Sequence, residues 1–263
     1  MGIVSPRAVL GIVFALALSG CVTLPAGHKP PPQDPWESFN RGVYKFNDKL
    51  DRAVAKPVAR TYVRVVPSPA RTGVSNFFQN LRTTTVMVND ALQGKFGAAA
   101  ADLARLVVNT TVGVGGLLDP ATQMGLAKNN EDFGQTLGHY GVPPGPFLEI
   151  PLLGPSDARD GPARGVDIFT GPTHYINNNW VSYGLYGIEF VDTRAALLPL
   201  DETLQKVYDP YAFIRDAYLQ RRAYLVSDGK VTDEVLEDPG ADDAKDTATP
   251  PAPPPPVAPP SPP

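Results

Sequence analysis

Asp-Pro occurs at Asp34-Pro35, Asp119-Pro120 and Asp209-Pro210, and each pair places an N-cap acceptor before a proline at the first helical position. Glu37 follows Asp34 by three residues, a variant of the capping box. Behind the first signal, Trp36, Phe39, Val43, Phe46, Leu50 and Val54 recur at spacings of three and four, an apolar helical stripe. Pro57 should end or kink this helix, with Tyr62 to Val66 extending the path toward Pro67-Ser68-Pro69. Further helices are expected over Pro69–Leu92, Phe96–Thr111, Asn178–Leu198 and Pro210–Val226. Arg82-Thr83-Thr84-Thr85 is the weak point of the first of these, because β-branched residues lose rotamer freedom in a helix. Between residues 134 and 146 glycine and proline crowd the chain, so irregular backbone is expected there. Phe147 to Leu153 should follow as an extended hairpin or loop. No alternation of period two persists over a strand's length, and the class is all-α.

The termini have a different character. Arg7 and the amino terminus precede an apolar run, Val9 to Leu18, far short of the roughly 20 residues a spanning helix needs. The run stops at Leu18-Ser19-Gly20-Cys21, which matches the bacterial lipobox, and Cys21 is the only cysteine of 263 residues. Residues 1–20 therefore read as a lipoprotein signal peptide, with Cys21 as the acylated N-terminus. Val22 follows, where an aspartate commonly retains a lipoprotein in the inner membrane, so the outer membrane of a Gram-negative cell, on its periplasmic side, is expected. Residues 21–33 read as a tether, with four prolines between Pro25 and Pro32. From residue 227 the chain turns acidic, eight carboxylates against two lysines between Asp228 and Asp246, and then holds ten prolines in residues 250–263. Such a tail cannot bury a core. Removing Arg7 from the overall charge of −4 gives −5, and setting aside the tail's −6 leaves tether and body together, 21–226, at about +1. No basic field calls for nucleic acid.

Motifs with chemical meaning are few. Gly113-x-Gly115-Gly116 lacks a preceding strand and a following Gly-Lys-Ser/Thr, so a turn or close helix crossing is expected rather than a phosphate loop. His139, in Gly138-His139-Tyr140-Gly141, has Asp132 and Ser156-Asp157 nearby in sequence, but no Gly-x-Ser-x-Gly elbow accompanies it. A buried, hydrogen-bonded structural role is expected for it. Two histidines in the body without a cysteine partner make a poor zinc site. No catalytic residue, metal or cofactor is assigned. Tyrosine and tryptophan cluster at Tyr175, Trp180, Tyr183 and Tyr186, and again between Tyr208 and Tyr224, as suits either a core or a membrane–water interface.

Asp34-Pro35-Trp36-Glu37-Ser38-Phe39-Asn40-Arg41, Pro69 to Phe77, Phe133 to Val142, Gly145-Pro146-Phe147 and Asp209-Pro210-Tyr211, taken in that order, resemble the MlaA/VacJ family of outer-membrane phospholipid-transport lipoproteins. The resemblance covers the whole body but not the proline-rich tail. It implies a ring-like bundle of amphipathic helices within one membrane leaflet, around an amphipathic channel and with a Gly/Pro-rich hairpin loop. It further implies removal of phospholipid mislocalised to the outer leaflet, transfer to a soluble periplasmic carrier (MlaC-like), and association with a trimeric porin. Candidate channel and gate residues are Phe46, Asn47, Phe133, Leu137, Phe147, Leu148 and Leu152. Phe46 and Asn47 stand out because an apolar residue adjoins a polar one in mid-helix. A structural scaffold at the outer membrane is the alternative, and a lipid hydrolase comes third.

Overall fold

The computed structural model describes residues 29–230; the expectations for the signal peptide, Cys21 and residues 231–263 lie outside the described residues. Helix α1 (Glu37–Leu50) continues without a break through a π-helical turn (Asp51–Ala55) into α2 (Lys56–Val65). The break expected at Pro57 does not occur. Lys56 N–H reaches back to Asp51 O, and this wider turn just before the proline absorbs its ring and missing donor. Helix α3 (Ser68–Leu92) survives its threonine run. The Thr83 and Thr84 hydroxyls donate to Gln79 O at 3.0 Å and Leu81 O at 2.8 Å on their own helix. Gly94, at φ +76°, ends α3 and turns the chain into α4 (Phe96–Thr111). Gly113 then makes a tight turn: a Cβ there would lie 2.3 Å from Asn109 O.

Two of the three Asp-Pro signals act as caps. Asp119 accepts from Thr122 N at 3.1 Å to start α5 (Pro120–Gln123). Asp209 accepts from Ala212 N at 3.2 Å to start α10 (Pro210–Val226). Asp34 does not cap. Its fully buried carboxylate accepts instead from Asn40 Nδ2 at 2.8 Å, the Tyr211 hydroxyl and Arg215, joining the two ends of the body.

The stretch expected to be irregular contains α6 (Phe133–His139), capped by Asp132, whose carboxylate accepts from Gln135 N at 2.8 Å. His139 is exposed at its end, edge-on to the Tyr140 ring at 5.2 Å; the expectation of a buried histidine is wrong because α6 ends before it can be covered. Strands β1 (Phe147–Ile150) and β2 (Gly154–Asp157) pair antiparallel, Phe147 opposite Asp157, across a turn in which Leu152 takes φ +67°. Next come α7 (Asp160–Thr170), a 3-10 turn (Pro172–Tyr175) and α8 (Asn179–Ala196), capped by Asn178. A 3-10 turn (Leu198–Leu200) and α9 (Asp201–Lys206) lead to α10.

The amphipathic helices are turned polar side in. On α4 the buried positions are Asp102, Arg105 and Asn109, spaced three and four apart, while Phe96, Leu103 and Val107 are exposed. On α8 Val181 and Ile188 are exposed, and Trp180 is 84% exposed. The polar groups of α8 point back into the body: Glu189 to Arg82, Asp192 to the Tyr62 hydroxyl, and Arg194 to Asp51 and Asp201. Among the described residues, buried polar and charged side chains outnumber buried apolar ones. In most folded domains the fully buried positions are mainly apolar. No helix among the described residues is long and apolar enough to cross a membrane.

Candidate functional site

Helix α1 holds the hairpin with two asparagines seven residues apart, hence on one face. Asn40 donates to Phe147 O at 3.1 Å and accepts from Glu149 N at 3.0 Å. Asn47 donates to Glu149 Oε1 and Ile150 O, both at 3.0 Å, and accepts from Leu152 N at 2.8 Å. From the other side, the fully buried Phe147 ring meets Tyr211 and Tyr218 of α10 edge-on at 6.2 and 6.0 Å. The hairpin is thus gripped between the first and last helices.

Beside it lies a cavity of about 570 Å³, within the range of small-molecule sites. Its lining is mixed: Phe78, Leu81, Val86 and Ile168 are apolar, and Asp132, Asp160, Arg164, Asp167, Tyr218 and Arg222 are polar or charged. Arg222 binds Asp132 through Nη1 at 2.6 Å and also reaches Asp160. Asp160 additionally accepts from Arg159 Nε at 2.8 Å and the Tyr218 hydroxyl at 2.9 Å. Burial alone would raise Asp132, but Arg222 holds its carboxyl below the usual range. Burial likewise opposes the lowering of Asp160, where Arg159 and Arg222 prevail. Asp167 differs. Burial pushes it up to about 6, although Phe133 N and Asn89 Nδ2 donate to it. A container lined by both apolar and charged groups suits a molecule that is itself amphipathic.

Among the sequence candidates, Asn47, Phe147 and Leu152 meet in the hairpin grip, with Phe46 and Leu148 half-buried beside it. Phe133 and Leu137 are half-buried on α6, where Asp132 and Gly134 line the cavity. Sequence reasoning did not single out Glu149, Arg164, Asp167 or Arg222 for this site. A signal for part of it exists in Asp157-Ala158-Arg159-Asp160, a charged knot directly after an uncharged turn.

The family model described as MlaA lipoprotein matches residues 32–225. The chain is 38% identical over 222 residues to the intermembrane phospholipid transport system lipoprotein MlaA of Escherichia coli (strain K12), covering 81% of this chain and 87% of that relative. It is 32% identical over 232 residues to the protein of the same name from Haemophilus influenzae, covering 84% and 91%. A solved structure described as the structural basis for maintenance of bacterial outer membrane lipid asymmetry matches with a TM-score of 0.67 at 38% identity, over 73% of this chain and 98% of that one. The chain belongs to the MlaA lipoprotein family.

Proposed function

We propose that this protein is an outer-membrane lipoprotein, anchored through Cys21 after loss of residues 1–20. It removes mislocalised phospholipid from the outer leaflet through its amphipathic interior and delivers it to a periplasmic carrier, preserving lipid asymmetry. The observation that carries this reading is the inversion of its helices. Apolar faces such as that of α4 turn outward, where a bilayer leaflet would cover them, and polar stripes turn inward, where a headgroup would pass. Lacking a helix of spanning length among the described residues, the body lies within the inner leaflet of that membrane. The names of its relatives supply the substrate class, phospholipid.

Phe46, Asn47, Phe133, Leu137, Phe147, Leu148 and Leu152 are assigned to the channel and its gate, the hairpin being the part whose grip on α1 can open. The carrier resembles MlaC, and a trimeric porin is the membrane partner. No catalytic step is assigned. Lipid extracted from the purified protein and identified by mass spectrometry tests the reading. Intact phospholipid is expected; lysolipid would favour hydrolysis, and absence of lipid would favour the scaffold.

A further inference from the structure

The cavity's charged groups cancel in pairs, with two exceptions. Arg82 binds Glu189 at 2.8 Å, Arg222 binds Asp132 and Asp160, and Glu131 binds Lys95 at 3.1 Å. Arg164 is different. Its guanidinium donates to main-chain carbonyls, Pro155 O at 2.7 Å and Leu153 O at 3.4 Å, and its charge acts on the Glu149 carboxyl without a direct ion pair. Asp167 accepts only from neutral donors, Phe133 N at 3.0 Å and Asn89 Nδ2 at 3.1 Å. Three residues apart on α7, the two share one helix face with Cβ atoms about 5–6 Å apart. Both line the cavity, and neither forms an ion pair with the other.

We propose that Arg164 and Asp167 form a headgroup site for zwitterionic phospholipid, with the phosphate at Arg164 and a primary ammonium at Asp167. This deepens the transport reading and rests on it. A plus and a minus on one helix face, neither closed into an ion pair by its neighbours, are complementary to a headgroup that carries one minus and one plus. An anionic headgroup without an amine satisfies Arg164 but leaves the half-buried Asp167 carboxylate without an ion-pair partner, since Arg222, which acts on it from a distance, is bound to Asp132 and Asp160. Asp167, raised only to about 6, remains charged above neutral pH. The carbonyls that hold Arg164 lie at the end of the hairpin turn and in β2, so the phosphate anchor moves with the hairpin.

The test loads detergent-purified full-length protein from vesicles containing equal amounts of phosphatidylethanolamine and phosphatidylglycerol with identical acyl chains, at pH 7.5. After repurification, bound lipid is counted by mass spectrometry. Wild type should enrich the zwitterionic lipid about fivefold, the ratio that one partly screened ion pair supplies. Asp167→Asn, which keeps an acceptor for Phe133 N, should bring the ratio to about one. Arg164→Gln should lower total bound lipid of both kinds, and Arg164→Lys should restore most of it. An unbiased or anionic-enriched wild type overturns the proposal, as does an Asp167→Asn protein that keeps the wild-type ratio. Wild type with no phospholipid overturns the transport reading as well.

Discussion

Replacing Glu149 with glutamine should stabilise the protein at pH 8 relative to pH 5. Glu149 sits in the grip between β1 and α1, 3% exposed. Its Oε1 accepts from Asn47 Nδ2 at 3.0 Å, while Oε2 is buried without a hydrogen-bond partner. Burial pushes the carboxyl from 4.5 up to about 7, against the lowering influence of the Asn47 donor and the Arg164 charge. At about 1.4 kcal/mol per tenfold, that rise corresponds to about 3 kcal/mol between the two protonation states. The folded state holds this proton more tightly than the unfolded state. Below pH 4.5 both states are protonated and nothing is lost; stability falls as pH climbs toward 7, and the loss is complete above it. Glutamine keeps an oxygen for Asn47 and cannot ionise, so the Glu149 share of the slope should vanish, leaving the smaller dependence that other raised carboxyls such as Asp167 contribute. Thermal unfolding in mild detergent, followed by circular dichroism at pH 5 and pH 8, measures the effect. For a chain of this size about 3 kcal/mol is about 6–12 °C in Tm. The unpaired amide nitrogen of glutamine costs the same at both pH values, so the comparison is the difference between them. Parallel pH dependence in the two proteins would refute the argument that Glu149 is buried and poorly satisfied.

Three further outcomes are expected. Asn47→Ala removes three hydrogen bonds to the hairpin, each worth about 1 kcal/mol, and limited proteolysis should then cut near Leu152 sooner than in wild type; equal cleavage rates would contradict the grip. With Trp36→Phe leaving Trp180 as the sole tryptophan, bromine-labelled acyl chains should quench its emission strongly; emission unaffected by brominated lipid would place α8 in water. Cys21→Ser should leave an uncleaved, unacylated precursor, and normal processing with palmitate labelling would remove the lipoprotein assignment.

Much of the helical plan was legible because periodicity and caps agree. The residues over 68–92, 96–111, 179–196 and 210–226 carry both, and the helices run there to within two residues. Helix α6 was missed because Gly134 and Gly138 read as punctuation, and α7 drew no expectation at all; Asp132 and the packing around Asp160 shape both. Gly134 is required there, since a Cβ would lie 2.3 Å from Asp160 Oδ1. The Asp34-Pro35 cap failed for a related reason, its carboxylate being claimed by residues more than 170 positions away. The deeper gap concerns sign. A stripe such as that on α4 states that two faces differ, not which one is covered by protein, so the inward polar face of Asp102, Arg105 and Asn109 could not be told from a solvated one. Asn47 was found from its setting in α1, but its partners Glu149 and Leu152 lie over 100 residues away and needed the fold.

The inverted arrangement is tested most directly by residues 22–227 secreted behind a cleavable signal without the acylated cysteine. Burying even 1,000 Å² of outward apolar surface in lipid is worth on the order of 25 kcal/mol before entropic and polar costs, far more than a single acyl chain contributes. The unlipidated body should therefore stay in the membrane fraction, resist high-salt washing and need detergent for release. Recovery from the periplasm as a monodisperse, detergent-free protein would contradict the account.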